Sequence, residues 1–99
     1  MKKRLAVAFL VLTLGIAKTA TAETPKAATL CLACHGSAGV SPNDLWPNLA
    51  GQKKDYLAKQ ITAFRTGERK DPMMTPVAMS LSADDVAVLA AYFAEMKTK

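Results

Sequence analysis

Cys31-Leu32-Ala33-Cys34-His35 decides how the rest of the chain is read. On a turn of helix, positions i and i+3 share a face. Both thiols therefore point to one side, and His35 follows at once. The spacing is C-x-x-C-H, the pattern of covalent haem attachment. Two thiols can meet the two vinyl groups of one porphyrin, and the imidazole can reach its iron from the tethered side. Other chemistries fit these residues less well. A zinc site takes four protein ligands, or three and a water. The chain has two Cys and one His in all, so carboxylates would have to complete that set. A thioredoxin-like C-x-x-C needs a βαβ setting, and no strand-like alternation is present. A plain disulfide suits an oxidising compartment but leaves His35 unexplained.

The opening residues have a different character. Lys2, Lys3 and Arg4 precede an apolar run of thirteen residues, Leu5 to Ala17, and Ala20-Thr21-Ala22 offers small residues for cleavage. That is the layout of a secretory signal peptide over residues 1–22, cut after Ala22. The apolar run is shorter than the roughly 20 residues a spanning helix needs. An uncleaved anchor is the alternative; a soluble periplasmic product with no stable membrane insertion is the expectation. Haem attachment of this kind also takes place outside the cytoplasm. Without residues 1–22, nine Lys and Arg face eight Asp and Glu, so the net charge falls from +5 to +1. The basic balance belongs to the leader and argues for no nucleic-acid partner. Residues 23–99 form one domain of seventy-seven residues with one C-x-x-C-H. A domain of that size is marginal on its own apolar burial. A porphyrin tied by two sulfurs would supply the missing core.

Along this domain, Thr24-Pro25 predicts a helix start, with Thr24 as N-cap and Pro25 at the first position. The helix is expected to run to about Cys34, with Gly36 as its stop. Residues 36–51 have neither helical nor strand period; Leu45, Trp46 and Leu49 are their apolar anchors. A loop that long inside a small domain suggests that it wraps a cofactor. Trp46 is expected in the pocket wall or the ordinary core. From Lys54 to Arg65 the residues Tyr56, Leu57, Gln60, Ile61 and Phe64 share one helical face, and Thr66-Gly67 ends the helix. Residues 67–80 are expected to be an extended loop held by Pro72 and Pro76. This loop carries Met73, Met74 and Met79, each a soft thioether that could fill the iron's sixth position opposite His35. The last helix follows Ser82 as N-cap, with Asp84 and Asp85 in its first turn. Val86, Leu89, Ala90, Phe93 and Met96 form its apolar stripe, and Lys97 and Lys99 suit its end.

Taken together, the domain resembles a class I c-type cytochrome of the short bacterial monohaem type, similar to one domain of tandem dihaem cytochromes c. The markers are Cys31 to Gly36, Pro47-Asn48-Leu49-Ala50-Gly51-Gln52, Tyr56, Gly67-Glu68-Arg69, Met74, Leu81-Ser82 and Ala91-Tyr92-Phe93. The resemblance implies an all-α cytochrome c fold, three to four short helices wrapped around one covalently bound haem. It implies His35 as proximal and Met74 as distal iron ligand, ahead of Met79 and Met73. Pro47 would offer its carbonyl to the proximal imidazole. Arg69 and Tyr56 would hold the propionates, unless Arg69 is a solvated surface charge. At the N-terminus the resemblance weakens. Thr24-Pro25 stand where the family has a small residue at a helix crossing, so Ala27 or Ala28 would take the close approach to Tyr92 and Phe93.

The function so implied is electron carriage rather than enzymatic turnover. Redox proteins would dock transiently on the exposed haem edge of a monomer. Lys53, Lys54, Lys59 and Arg69 are candidates for steering them. The alternatives are a haem subunit within a larger dehydrogenase or oxidase complex, and a five-coordinate haem acting as sensor or peroxidase.

Overall fold

Four helices carry the structure, a computed structural model that describes residues 8–10, 15 and 23–98. They are α1 (Ala28–His35), α2 (Lys54–Thr66), α3 (Met74–Met79) and α4 (Ala83–Glu95). No strand occurs among the described residues. The signal peptide expected over residues 1–22 lies outside the described residues, save for 8–10 and 15, and Lys99 is outside them too. No helix among the described residues is long and apolar enough to cross a membrane.

The best-defined helix start is that of α4. Asp85 donates its amide N–H to Ser82 Oγ at 3.0 Å, and Ser82 donates its amide to Asp85 Oδ2 at 3.0 Å. This reciprocal pair satisfies two otherwise orphaned donors. Behind it Val86, Leu89, Ala90 and Phe93 are buried on one stripe, as their spacing predicts. The helix stops at Glu95, because Met96 adopts an extended conformation. Lys97 therefore lies past the last turn rather than in it.

Helix α2 packs against both α4 and α3. It ends where expected: Gly67 takes the left-handed conformation, φ 80°, and donates to Phe64 O. Arg65 is not a free surface charge. Its Nε–H donates to Leu81 O at 2.9 Å and ties α2 to the α3–α4 connection.

Two expectations need correction. Helix α1 does not begin at Pro25. Residues 26–27 form a turn, and the helix starts at Ala28 without a side-chain cap. Thr24 is engaged elsewhere, its hydroxyl 3.3 Å from that of Tyr92. The loop 67–80 is not extended throughout either, since Met74–Met79 is helical with Pro76 inside it. Pro76 is the third residue of α3. Amides of a first turn have no intrahelical acceptor, so a missing N–H costs nothing there.

Residues 36–51 are irregular, as expected, but their backbone is not unpaired. Gly39 O accepts from Leu49 N at 2.8 Å and Ala50 N at 3.0 Å, and Gly51 N donates to Phe93 O at 2.9 Å. The loop is thus clasped at its base and fastened to α4. Of its three expected anchors, Leu49 packs against the core. Leu45 is exposed and Trp46 stands at 38% exposure, so both belong to a rim rather than to the core.

The core joins Ala28, Leu57, Leu89, Ala90 and Phe93. Ala28 is fully buried there, the close approach that a small residue permits. Burying each of the larger side chains contributes roughly 1.5–3 kcal/mol. Tyr92 packs edge-on to Phe93, with ring centroids 5.2 Å apart.

Candidate functional site

One cavity of about 480 Å³ opens into this helical frame, a volume within the roughly 300–1,000 Å³ of ordinary cofactor sites. Helix α1 brings Cys31, Cys34 and His35 to its wall, and the start of α3 brings Met74. The α2 face contributes Tyr56, Leu57, Gln60, Ile61 and Phe64, the stripe read from the sequence. Both thiols are free. Burial pushes the Cys31 thiol up from its ordinary pKa, as low polarity disfavours the thiolate.

His35 is buried, at 6% exposure, and it is the only buried polar side chain among the described residues. Its Nδ1 lies 2.8 Å from the carbonyl oxygen of Pro47. A carbonyl can only accept, so Nδ1 carries the proton and donates. In the neutral ring this leaves the lone pair on Nε2, available to a metal. No three His, Cys, Asp or Glu side chains among the described residues converge to hold a bare metal ion.

The three methionines separate clearly. Met73 and Met74 line the cavity. Met79, 66% exposed, lines a separate shallow groove with Lys70 and Pro72 and is not part of the cavity wall. Met73 is itself 61% exposed, whereas Met74 is partly buried.

Arg69 and Tyr56 are exposed, yet both reach the cavity wall. The Arg69 guanidinium stacks 4.5 Å from the centre of the Phe64 ring and donates from Nη1 to Gln60 Oε1 at 2.9 Å. It is a fixed cation at the cavity edge rather than a freely solvated charge. Trp46 and Leu45 stand at the cavity from the 36–51 loop. Leu30, Asp71 and Val77 also line the wall, and the sequence reading gives them no part in the site. Asp71 was signalled by an Asp-Pro pair directly before Met73-Met74, the pattern of a capped turn.

Paired thiols, an imidazole with one nitrogen free and a mostly apolar hollow form a donor set suited to a tethered porphyrin. The family profile described as Cytochrome c matches residues 22–97. The chain belongs to the cytochrome c family. It is a class I c-type cytochrome, and its cofactor is one haem c, covalently bound through Cys31 and Cys34.

Among its relatives, cytochrome c-554(548) of Halomonas halodenitrificans is 43% identical over 70 residues, 68% of this chain and 84% of the relative. The thiosulfate dehydrogenase electron acceptor of Thiomonas intermedia is 39% identical over 98% of this chain, which spans 45% of that protein. In the structure of reduced recombinant cytochrome c4 from Pseudomonas stutzeri, 38% of the solved chain superposes on 68% of this one. The TM-score is 0.63 and the identity 42%. This cytochrome thus spans most of one relative and less than half of the others.

Proposed function

We propose that this cytochrome is a periplasmic one-electron carrier, not an enzyme, with His35 and Met74 as axial ligands. The observation that carries the proposal is the convergence of Cys31, Cys34, His35 and Met74 on one cavity. Bound haem c supplies the ferric–ferrous couple. The protein's part is to hold that couple in a fixed, dry setting. The Pro47 carbonyl orients the His35 ring and enriches its free nitrogen. A thioether ligand and apolar walls favour the reduced state and a higher potential. Arg69, braced by Gln60 and Phe64, would pair with a propionate, and Tyr56 on the same cavity wall would do the same. Trp46 and Leu45 would cover part of the macrocycle and frame the edge where a redox partner docks. The Thiomonas intermedia relative, named as an electron acceptor, supports carriage of electrons between proteins. That name also favours a second reading, a haem subunit within a larger dehydrogenase assembly. Export rests on the signal-like residues 1–22.

The test is spectroscopic. A pyridine haemochrome spectrum of the periplasmic fraction should report covalent haem, and N-terminal sequencing should begin at Glu23. The ferric protein should show a sulfur-to-iron charge-transfer band that Met74→Ala abolishes and Met79→Ala leaves intact. A band that survives Met74→Ala and vanishes in Met79→Ala overturns the ligand assignment. Absence of the band from the parent protein points instead to a five-coordinate haem.

A further inference from the structure

Met74 sits at the start of a helix that has little of its own to hold it. Helix α3 is six residues long, and only Ala78 in it is buried. Helices that short do not sustain themselves. Apart from its packing against α2, the start of the segment is fixed by Asp71. Its Oδ2 accepts the amide N–H groups of Met73 and Met74, both at 2.8 Å. Its own amide donates to Thr75 Oγ1 at 2.8 Å, and the Thr75 amide donates back to Asp71 O at 3.0 Å. Four hydrogen bonds thus close residues 71–75 into one unit, with Pro72 restricting φ inside it. Met73 stands at the N-cap of α3 with no side-chain cap of its own, and the Asp71 carboxylate just ahead of it supplies the acceptor that a capping side chain otherwise gives.

We propose that Asp71, with Thr75, is the positioning residue for the Met74 thioether. It fixes the backbone from which Met74 reaches the cavity, and so governs how readily that side chain leaves the iron. The proposal rests on Met74 ligation, and the experiment separates the two claims. The probe is imidazole, titrated into the ferric holoprotein while the charge-transfer band is followed. Imidazole binds iron only when the thioether is away, so its apparent affinity scales with the open fraction. Loss of a cap shifts such an equilibrium by roughly two- to thirtyfold. Asp71→Ala should therefore tighten imidazole binding on the order of fivefold. Asp71→Asn, which keeps an acceptor, should fall between Ala and the parent, and Thr75→Val should give a smaller shift in the same direction. Ser82→Ala removes a cap away from the ligand and should leave the affinity unchanged.

The positioning role is overturned if Asp71→Ala binds imidazole as the parent does. It is overturned equally if Ser82→Ala matches Asp71→Ala, which would mark general destabilisation. Identical shifts in Asp71→Asn and Asp71→Ala would assign the effect to charge at the cavity edge, and that too sinks it. If Asp71→Ala yields no holoprotein by pyridine haemochrome, the Asn and Val variants decide, and parent-like affinity in both refutes the role. A band that persists in Met74→Ala refutes ligation itself.

Discussion

Gly36→Ala should be among the most damaging single-methyl changes in this protein. Gly36 closes α1 directly after His35, with φ 91° and ψ 145°. That region is close to glycine-only and costs other residues roughly 1–3 kcal/mol. Space adds to the cost. A Cβ there would run into Val40 O and lie 2.8 Å from Val40 C. Both are backbone atoms, so no side-chain rotation relieves the clash. Residues 36–40 must move, and Gly36 O would lose its 2.9 Å bond from Gly39 N. Gly67 offers the control. Its φ is 80°, but nothing lies within 4 Å of its would-be Cβ. Gly67→Ala should therefore cost only the left-handed penalty, roughly 1–2 kcal/mol. Strain plus the forced shift puts Gly36→Ala at about 3 kcal/mol or more, a large share of the 5–15 kcal/mol of a typical domain. Urea unfolding of the two holoproteins, followed by circular dichroism, measures the difference directly. The steric reasoning is refuted if the two variants agree within about 0.5 kcal/mol, a separation unfolding curves can resolve.

Other outcomes follow from the core and the caps. Leu89 is fully buried between helices; Leu89→Ala should lower unfolding free energy by about 2–5 kcal/mol in the same urea assay. Ser82→Ala removes one half of the α4 capping pair and should cost about 1 kcal/mol. Hydrogen bonds from the Ser82 amide and hydroxyl hold the Asp85 carboxyl below its ordinary pKa. A depressed carboxylate stabilises the fold above its unfolded pKa, and the benefit fades as pH falls through the folded one. The parent should therefore outlast Asp85→Ala in urea at neutral pH, and that margin should shrink on acidification below the usual aspartate range.

The parts of this fold that were legible in sequence are those with a chemical or periodic signature. Cys31, Cys34 and His35 declare the cofactor by spacing alone, and the α2 stripe from Tyr56 to Phe64 turns out to be a wall of its cavity. The α4 stripe is legible because Val86, Leu89, Ala90 and Phe93 bury against partners that need no cofactor. Leu45 and Trp46 were harder. An apolar residue in an irregular loop predicts burial, but not whether the cover is protein or porphyrin. Both line the cavity and stay exposed at its rim. The bracing of Arg69 by Gln60 was illegible for a different reason. It joins residues nine apart across a helix end, and no periodicity encodes such a contact.

The two misjudged segments share one cause. A capping residue followed by proline occurs at both Thr24-Pro25 and Asp71-Pro72. At the first, no helix amides are captured, because the Thr24 hydroxyl lies against Tyr92. At the second, the pair launches a turn that two prolines suggested would be extended. The difference is physical. Aspartate presents a charged acceptor that can take two amides at once, and Met73 and Met74 supply them; threonine offers one weaker hydroxyl with a competing partner within reach. Helical amides free of Pro76's restriction then need only run from Val77 to Met79. Local sequence therefore specified the turn that carries the candidate ligand, through its strongest short-range hydrogen-bond acceptor. What concealed it was the prior weight given to proline as a breaker, which holds for helix interiors and not for first turns.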